Sequence, residues 1–149
     1  MFYETERNVY VLENGSIAYV IYRNEAGNLE NIWFGKSLSD YTGILQSRNF
    51  EGGGACIYYD VASNEERKYA DGFNAQCSPL EFSSNGYSDK RGAPVVIQNK
   101  NGGFATDFRC VEHRVYAGIP ALQGMPHARG YEGNCETVEF LCKEQNSEV

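Results

Sequence analysis

Residues 9–22 have the sequence VYVLENGSIAYVIY, in which two apolar runs lie on either side of Asn14-Gly15. Asn and Gly tolerate the positive φ that a tight turn requires, and an Asn-Gly pair between apolar runs is the strongest short-range signal for a β-hairpin. The stretch therefore predicts two antiparallel strands that meet at the Asn-Gly turn.

The sequence after this hairpin continues the same pattern. A second turn at residues 24–28 leads into residues 29–34 (LENIWF), so residues 8–34 predict a three-stranded antiparallel meander. Farther along, the turn at residues 99–103 lies between residues 95–97 and 104–116, which predicts another hairpin, and residues 137–142 predict a last strand.

Helical periodicity is weak throughout the chain. Residues 65–68 (Glu-Glu-Arg-Lys) are predicted to form a helical turn at most, and no stretch repeats apolar residues with a helical period convincingly. The strands are rich in β-branched and aromatic residues, and turn signals recur at short spacing. We therefore predict an all-β fold, an antiparallel β-sandwich with little helix, in a single domain over residues 1–149.

Composition excludes several classes of partner. The formal net charge is −7 and the pI is near 4.8, whereas nucleic acid and anionic membranes attract positive surfaces. The acidic N-terminal residues differ from a signal peptide, and no apolar run approaches a membrane span, so we expect a cytoplasmic protein. The odd number of cysteines favours reduced thiols, and these are Cys56, Cys77, Cys110, Cys135 and Cys142.

Residues 40–92 are rich in Gly, Ser, Asn and aromatic residues, and they are too long for an ordinary connection within a compact domain. We expect a binding surface in this segment. The Gly52-Gly53-Gly54 run within it lacks the Lys-Ser/Thr and the helix of a phosphate-binding loop, so it is interpreted as a turn.

Metal and catalytic sites receive little support from the residue spacing. Cys110 and His113, with His127 and Cys135, have the residue types of a zinc site, but residues three apart in a regular strand point to opposite faces. No Ser lies in a nucleophile motif. A carboxylate pair for glycoside chemistry is harder to exclude, because any two of the 20 Asp and Glu residues could meet in space, but their spacing singles out no pair. We expect no metal, no cofactor and no self-contained active site.

Four segments, taken in order, resemble the N-terminal domain of family-36 glycoside hydrolases, the microbial α-galactosidases. Residues 29–36 (LENIWFGK) are similar to an early strand that ends in an aromatic-Gly-Lys turn, and residues 107–113 to a D-x-R strand. Residues 118–126 (GIPALQGMP) resemble the G-x-P-x-L-x-G-L/M-P loop of the family, and residues 136–140 (ETVEF) its E-T-L-x-I strand.

A further match concerns residues 79–91, in which Pro79-Leu80-Glu81-Phe82 is followed by Gly86-x-x-Asp89-x-Arg91. This segment is similar to the family's E-Y-P-x-x-G-x-x-D-F-R loop, which lies near the sugar-binding end of the catalytic barrel and can reach a neighbouring subunit. The resemblance implies a substrate-binding or subunit-contact role for Asp89 and Arg91. The alternatives are a solvated turn and a surface or intersubunit salt bridge.

The resemblance also implies what the chain lacks. The family's catalytic aspartates belong to a downstream (β/α)₈ barrel, so the chain is expected to be a non-catalytic domain, or a fragment of one, from a larger β-supersandwich. The parent would be a retaining α-galactosidase that acts on a galactoside as a homo-oligomer. The alternative is an independent carbohydrate-binding β-sandwich module.

Overall fold

Antiparallel strands make up nearly all of the regular structure in a computed structural model of the chain. It describes residues 2–4, 8–24, 26–41, 43–44, 58–60, 65–67, 78–86, 91–120, 123–126 and 135–145. The strands in chain order are β1 (Phe2–Glu4), β2 (Val9–Glu13), β3 (Ile17–Arg23), β4 (Leu29–Lys36), β5 (Tyr58–Asp60), β6 (Glu65–Arg67), β7 (Phe108–Ala117) and β8 (Glu136–Glu144).

The central sheet has four strands in the order β1-β2-β3-β4. The predicted meander is confirmed as β2, β3 and β4, and β1 adds a strand to it through pairing with β2. At the Asn-Gly turn the Asn14 side-chain oxygen accepts hydrogen bonds from the backbone N–H groups of Ser16 and Ile17, each at 3.0 Å. This local bonding explains why the short motif was sufficient to predict the hairpin.

Both faces of the central sheet are covered, which explains why β2 and β3 are continuously apolar rather than alternating. One face packs with Tyr41 and Ile44, and its buried residues from the sheet are Val9, Val11, Ala18 and Val20. The opposite face packs against β7 and β8, and its cluster contains Tyr10, Ile21, Leu29, Cys110, Phe140 and Cys142. The central sheet is therefore the middle layer of the described structure.

The strands β7 and β8 form a two-stranded antiparallel ribbon. The last predicted strand is confirmed, but the predicted hairpin between residues 95–97 and 104–116 is wrong, because residues 95–97 are not a strand and β7 pairs with β8 instead. The turn itself exists, since Asn99 N donates to Gly103 O at 2.9 Å. Val95 and Val96 are exposed, so the three-residue apolar run has no layer to pack against.

The strand β6 replaces the helical turn that was predicted at residues 65–68. Its three residues pair in antiparallel register with β5. The local sequence of residues 65–68 did not indicate a strand. The hydrogen bonds of a strand are made with its partner strand, and the local sequence does not show that partner.

A β-bulge interrupts the ribbon between Cys110 and Glu112. Cys110 pairs with Cys142 and Glu112 pairs with Leu141, so Val111 is the extra residue. A regular strand would turn Glu112 toward the central sheet and His113 away from it. The bulge keeps the Glu112 carboxylate exposed and lets the His113 ring contact Tyr10, with 5.0 Å between ring centroids.

The observed architecture confirms the predicted all-β antiparallel fold with little helix. Within the described ranges, no helix has the length and apolar character needed to cross a membrane.

Candidate functional site

The segment of greatest interest is the loop at residues 86–91, which the sequence predicted to contain a binding pair. Asp89 lies outside the described residues, so the predicted pairing of Asp89 with Arg91 stays a prediction. Arg91 is described, as are residues 78–86, which lead into the loop. The described part of the site therefore consists of its entering segment and Arg91.

The entering segment extends the edge of the central sheet. Asn31 N donates to Pro79 O at 2.8 Å and Glu81 N donates to Leu29 O at 2.9 Å, on either side of an isolated bridge between Glu30 and Leu80. Backbone bonds of this kind hold the segment in strand-like register with β4. Residues 78–81 are thereby attached to the most extensively buried layer of the fold.

The part of the segment closest to the loop is attached to residues 104–108. Asn85 N donates to Thr106 Oγ1 at 3.0 Å, and the Asn85 side-chain amide donates to Phe104 O at 2.7 Å. The Phe82 ring meets the Phe108 ring edge-to-face, with 5.1 Å between centroids. The loop therefore starts from a backbone that is held on two sides.

Arg91 is exposed, and its side chain reaches back to the entering segment. Its Nη1 donates to the backbone oxygen of Ser78 at 2.7 Å, and Ser78 itself is buried. The guanidinium is planar and carries five N–H donors in a fixed fork, so a bond to one carbonyl orients the whole fork. This arrangement can present directed donors to a carboxylate, a sugar hydroxyl or a neighbouring backbone.

A second polar and aromatic group lies beside the same segment. The Tyr19 hydroxyl donates to Glu81 Oε1, and the Tyr19 ring contacts the Phe34 ring with 5.9 Å between centroids. Phe34 is 72% exposed, which is high for an aromatic residue. Partial burial and the hydrogen bond to Glu81 both raise the pKa of Tyr19, so its hydroxyl stays protonated at neutral pH.

Sequence reasoning did not identify this second group, which we call the Tyr19–Phe34–Glu81 patch. Tyr19 and Glu81 are 62 residues apart, and only the attachment of residues 78–81 to β4 brings them together. The available signal was the aromatic-Gly-Lys motif at the end of β4, which contains Phe34 but gives no indication of the carboxylate.

The loop that resembles the G-x-P motif connects β7 to β8. Its base is closed by a bond from Gly118 N to Cys135 O at 2.8 Å and by one from Thr137 Oγ1 to Gly118 O at 2.7 Å. Met125 is 63% exposed. The described residues of the motif, 118–120 and 123–126, therefore lie at the surface rather than in the core.

In the D-x-R motif at residues 107–109, Asp107 and Arg109 form an ion pair at the start of β7. Arg109 Nη2 lies 2.7 Å from Asp107 Oδ2, and Arg109 Nε donates to the same oxygen at 3.0 Å. Arg109 also packs near Gly27, next to the bond from Cys110 N to Gly27 O. These contacts join the ribbon to the turn between β3 and β4.

The expectation that Cys110 and His113 point to opposite faces is wrong. The bulge at Val111 adds one residue between them, so both side chains approach Tyr10. The described part of the chain nonetheless has no cluster of three or more His, Cys, Asp or Glu side chains that could hold a metal ion. His127 and the Gly52-Gly53-Gly54 run lie outside the described residues.

Comparisons with known proteins agree on one family. Residues 27–149 match the glycosyl hydrolase family 36 N-terminal domain. The α-galactosidase AgaA of Geobacillus stearothermophilus is 27% identical over 141 residues, which cover 93% of this chain and 18% of AgaA. A structure of an AgaA variant in complex with raffinose aligns with a TM-score of 0.70 and 25% identity over 91% of this chain and 18% of that one.

A structure with lower sequence identity supports the fold alone. The galactosidase domain of the α-galactosidase-sucrose kinase AgaSK aligns with a TM-score of 0.79 and 18% identity, covering 98% of this chain and 20% of that one. The chain spans only 15–18% of the length of the curated relatives it matches. On the match over residues 27–149, the chain belongs to the glycosyl hydrolase family 36 N-terminal domain family.

Proposed function

We propose that the chain serves as the non-catalytic N-terminal domain of an enzyme that hydrolyses terminal α-galactosides. The observation that carries the proposal is the family match over residues 27–149. The raffinose complex of the related AgaA variant supports an oligosaccharide with a terminal galactose as the class of substrate. The catalytic carboxylates would then be supplied by another part of the enzyme.

Within that enzyme, the domain contributes to the rim of the sugar site or to a contact between subunits. Two features of the loop support this role. Its entering segment is attached both to β4 and to residues 104–108, and the Arg91 guanidinium is oriented by its bond to Ser78. A donor that is oriented by an existing hydrogen bond, as Arg91 is by its bond to Ser78, can bind a sugar hydroxyl or a partner's acceptor without a large loss of conformational entropy.

Substitution of Arg91 in the full-length enzyme tests this role. Arg91→Ala removes one charged hydrogen-bonding group, which typically contributes about 1.5–3 kcal/mol. We expect kcat/KM for raffinose to fall roughly ten- to hundredfold if the contact is to substrate. A contact to a neighbouring subunit would instead reduce the oligomer mass measured by light scattering.

Arg114→Ala is the matched control, because Arg114 is also an exposed arginine and its Nε lies 2.9 Å from Glu112 Oε1 on the ribbon. It removes the same charge from a different surface, and we expect kinetics and mass to stay at wild-type values. Wild-type kinetics and mass for both Arg91→Ala and Asp89→Ala would contradict the proposed role and favour a solvated turn.

The 149-residue chain alone should leave a nitrophenyl α-galactoside uncleaved, because the family's catalytic pair is expected outside it. Release of nitrophenol above the rate of a mock-purified sample is the measurement. Turnover that persists through successive purification steps would contradict a non-catalytic role.

A second candidate function, an independent carbohydrate-binding module, is favoured by the Tyr19–Phe34–Glu81 patch. An exposed ring can contact the apolar face of a sugar, and a neighbouring carboxylate can accept bonds from its hydroxyls. Calorimetric titration of the chain with raffinose distinguishes the two functions. Binding that Phe34→Ala abolishes would favour the module, whereas absence of heat would favour the accessory domain.

A further inference from the structure

Two cysteines face each other across the ribbon of β7 and β8. Cys110 and Cys142 are direct partners in the register of the ladder, and both are free thiols. Cys110 is buried, while Cys142 is partly exposed. The family match and the proposed function do not involve these thiols.

The backbone hydrogen bonds make Cys110 and Cys142 a non-hydrogen-bonded pair. This is the closer of the two kinds of facing pair in an antiparallel ladder. Cys110 N donates to Gly27 O at 2.7 Å, so its N–H points to the turn between β3 and β4 and away from β8. In an antiparallel ladder, facing residues that do not bond each other have Cα atoms about 4.5 Å apart. That spacing lies within the range of roughly 4.4–6.8 Å that a disulfide requires.

The surroundings of the pair favour a reactive thiolate. A hydrogen bond with the Cys142 thiol and the charge of nearby Arg23 lower the pKa of Cys110 to about 7, although burial opposes this change. The hydrogen bond with Cys110, together with burial, raises the pKa of Cys142. One proton is therefore lost readily and the other is retained, as in dithiols that react in two steps.

We propose that Cys110 and Cys142 form a redox-active dithiol site that takes a low-molecular-weight disulfide as its oxidant and closes to a cross-strand disulfide. The thiolate of the pair attacks one sulfur of the small disulfide, forms a mixed disulfide and expels one small thiolate. The second cysteine then loses its proton and attacks the protein sulfur of the mixed disulfide, and a second small thiolate leaves. The protein dithiol is oxidised by two electrons and the small disulfide is reduced to two thiols.

Closure would link the two ends of the segment that contains the G-x-P loop. The disulfide would join residues 110 and 142 and constrain the unfolded chain over a loop of about 30 residues. For a chain of this length we expect the midpoint of thermal unfolding to rise by about 10 °C on oxidation, and to return on reduction.

Peptide mapping in glutathione redox buffers tests the site. The chain is equilibrated at increasing ratios of oxidised to reduced glutathione, quenched with acid, alkylated with iodoacetamide and digested with trypsin. Cys110 falls in the peptide of residues 110–114, but Cys135 and Cys142 share the peptide of residues 130–143. The experiment therefore uses wild type and Cys135→Ser in parallel, because the second assigns the link to Cys142.

We expect the two peptides to be linked in both proteins under oxidising buffers, with the thermal midpoint raised in both. Cys142→Ser and Cys110→Ser should each lose the link and the thermal shift. Three results would overturn the proposal. Cys110 and Cys142 could still be reduced, and therefore alkylated, in the most oxidising buffer; they could carry glutathione without forming a link to each other; or they could form disulfides with other cysteines. The wild-type and Cys135→Ser maps decide the outcome even if Cys110→Ser or Cys142→Ser fails to fold.

Discussion

At the scale of single residues, two glycines occupy similar turns but differ in what surrounds them. Gly15 and Gly27 both have φ of +86°, a conformation that other residues adopt at a cost of about 1 kcal/mol or more. A Cβ on Gly15 would meet nothing within 4 Å, whereas a Cβ on Gly27 would lie 3.1 Å from Arg109 Cβ. Gly27 therefore permits the ribbon to approach the turn closely.

We predict that Gly27→Ala lowers the free energy of unfolding more than Gly15→Ala does. Both variants carry the backbone strain, so the difference between them, about 1 kcal/mol, reports the displacement of Arg109 and its strand. Urea unfolding of the two variants and wild type is the measurement. Equal decreases in the free energy of unfolding would contradict the prediction, because they would mean that displacement of Arg109 and its strand costs no free energy.

Buried carboxylates are the other notable feature at this scale. Glu30 is 2% exposed and accepts a bond from the Asn24 side chain at 2.6 Å, while Glu144 is 1% exposed and accepts one from Asp107 N at 2.8 Å. Buried carboxylates persist where hydrogen bonds compensate for lost hydration. Glu30 stabilises the turn before β4, and Glu144 attaches the end of β8 to the segment before β7.

At the scale of secondary-structure elements, the bulge in β7 decides which side chains reach the central layer. A ring cluster follows from it, because Phe140 lies 5.1 Å from Tyr10 and 6.3 Å from His113 between centroids. The extra residue, Val111, is exposed and contributes little to the core. Its effect is on register rather than on packing.

Deletion of Val111 should therefore be tolerated. Cys110 would remain opposite Cys142 and Glu112 opposite Leu141, so the shortened strand forms a regular ladder without turning any side chain over. We predict a change of less than about 1 kcal/mol in the free energy of unfolding, a value typical of surface changes that disturb little packing.

Deletion of Leu141 is the matched control, since Val111 and Leu141 are both 49% exposed. Deletion of Leu141 leaves β7 with two extra residues relative to β8 instead of one, and it displaces Phe140 from Tyr10. We therefore expect the free energy of unfolding to fall by at least about 2 kcal/mol. Thermal or urea unfolding compares the two deletions. If both are equally destabilising, the bulge itself is required by the fold.

At the scale of the whole molecule, a substantial apolar surface is exposed. Val115, Val96 and Phe104 are at least 45% exposed, in addition to the residues already named on the ribbon and at Phe34. Exposed apolar groups and open strand edges favour association with another surface. This feature motivates the expectation of an oligomer.

We predict that the 149-residue chain forms a dimer or a higher oligomer through strand edges or apolar faces. Light scattering at tens of micromolar, roughly the range in which such surfaces associate, measures the mass. Val115→Lys would place a charge on the exposed ribbon and should shift the mass toward monomer if that face is used. A monomer at every concentration would contradict the prediction.

The amino-acid sequence by itself was sufficient for the features that depend on neighbours along the chain. The Asn14-Gly15 hairpin, the turn at residues 24–28 and the turn at residues 99–103 were all predicted correctly, because short side chains bond their own backbone there. The continuous apolar runs of β2 and β3 likewise indicated strands, and the quoted motifs were enough to identify the family that the comparison confirmed.

Tertiary structure decided the features that join distant segments. Pairing of β7 with β8 rather than with residues 95–97, the bulge that turns Cys110 and His113 to the same side, and the meeting of Tyr19 with Glu81 all depend on contacts between residues far apart in sequence. A strand has no internal hydrogen bonds, so its partner and register are set by the layer it covers. For that reason local patterns identified the strands, and only packing against the central sheet determined how they pair.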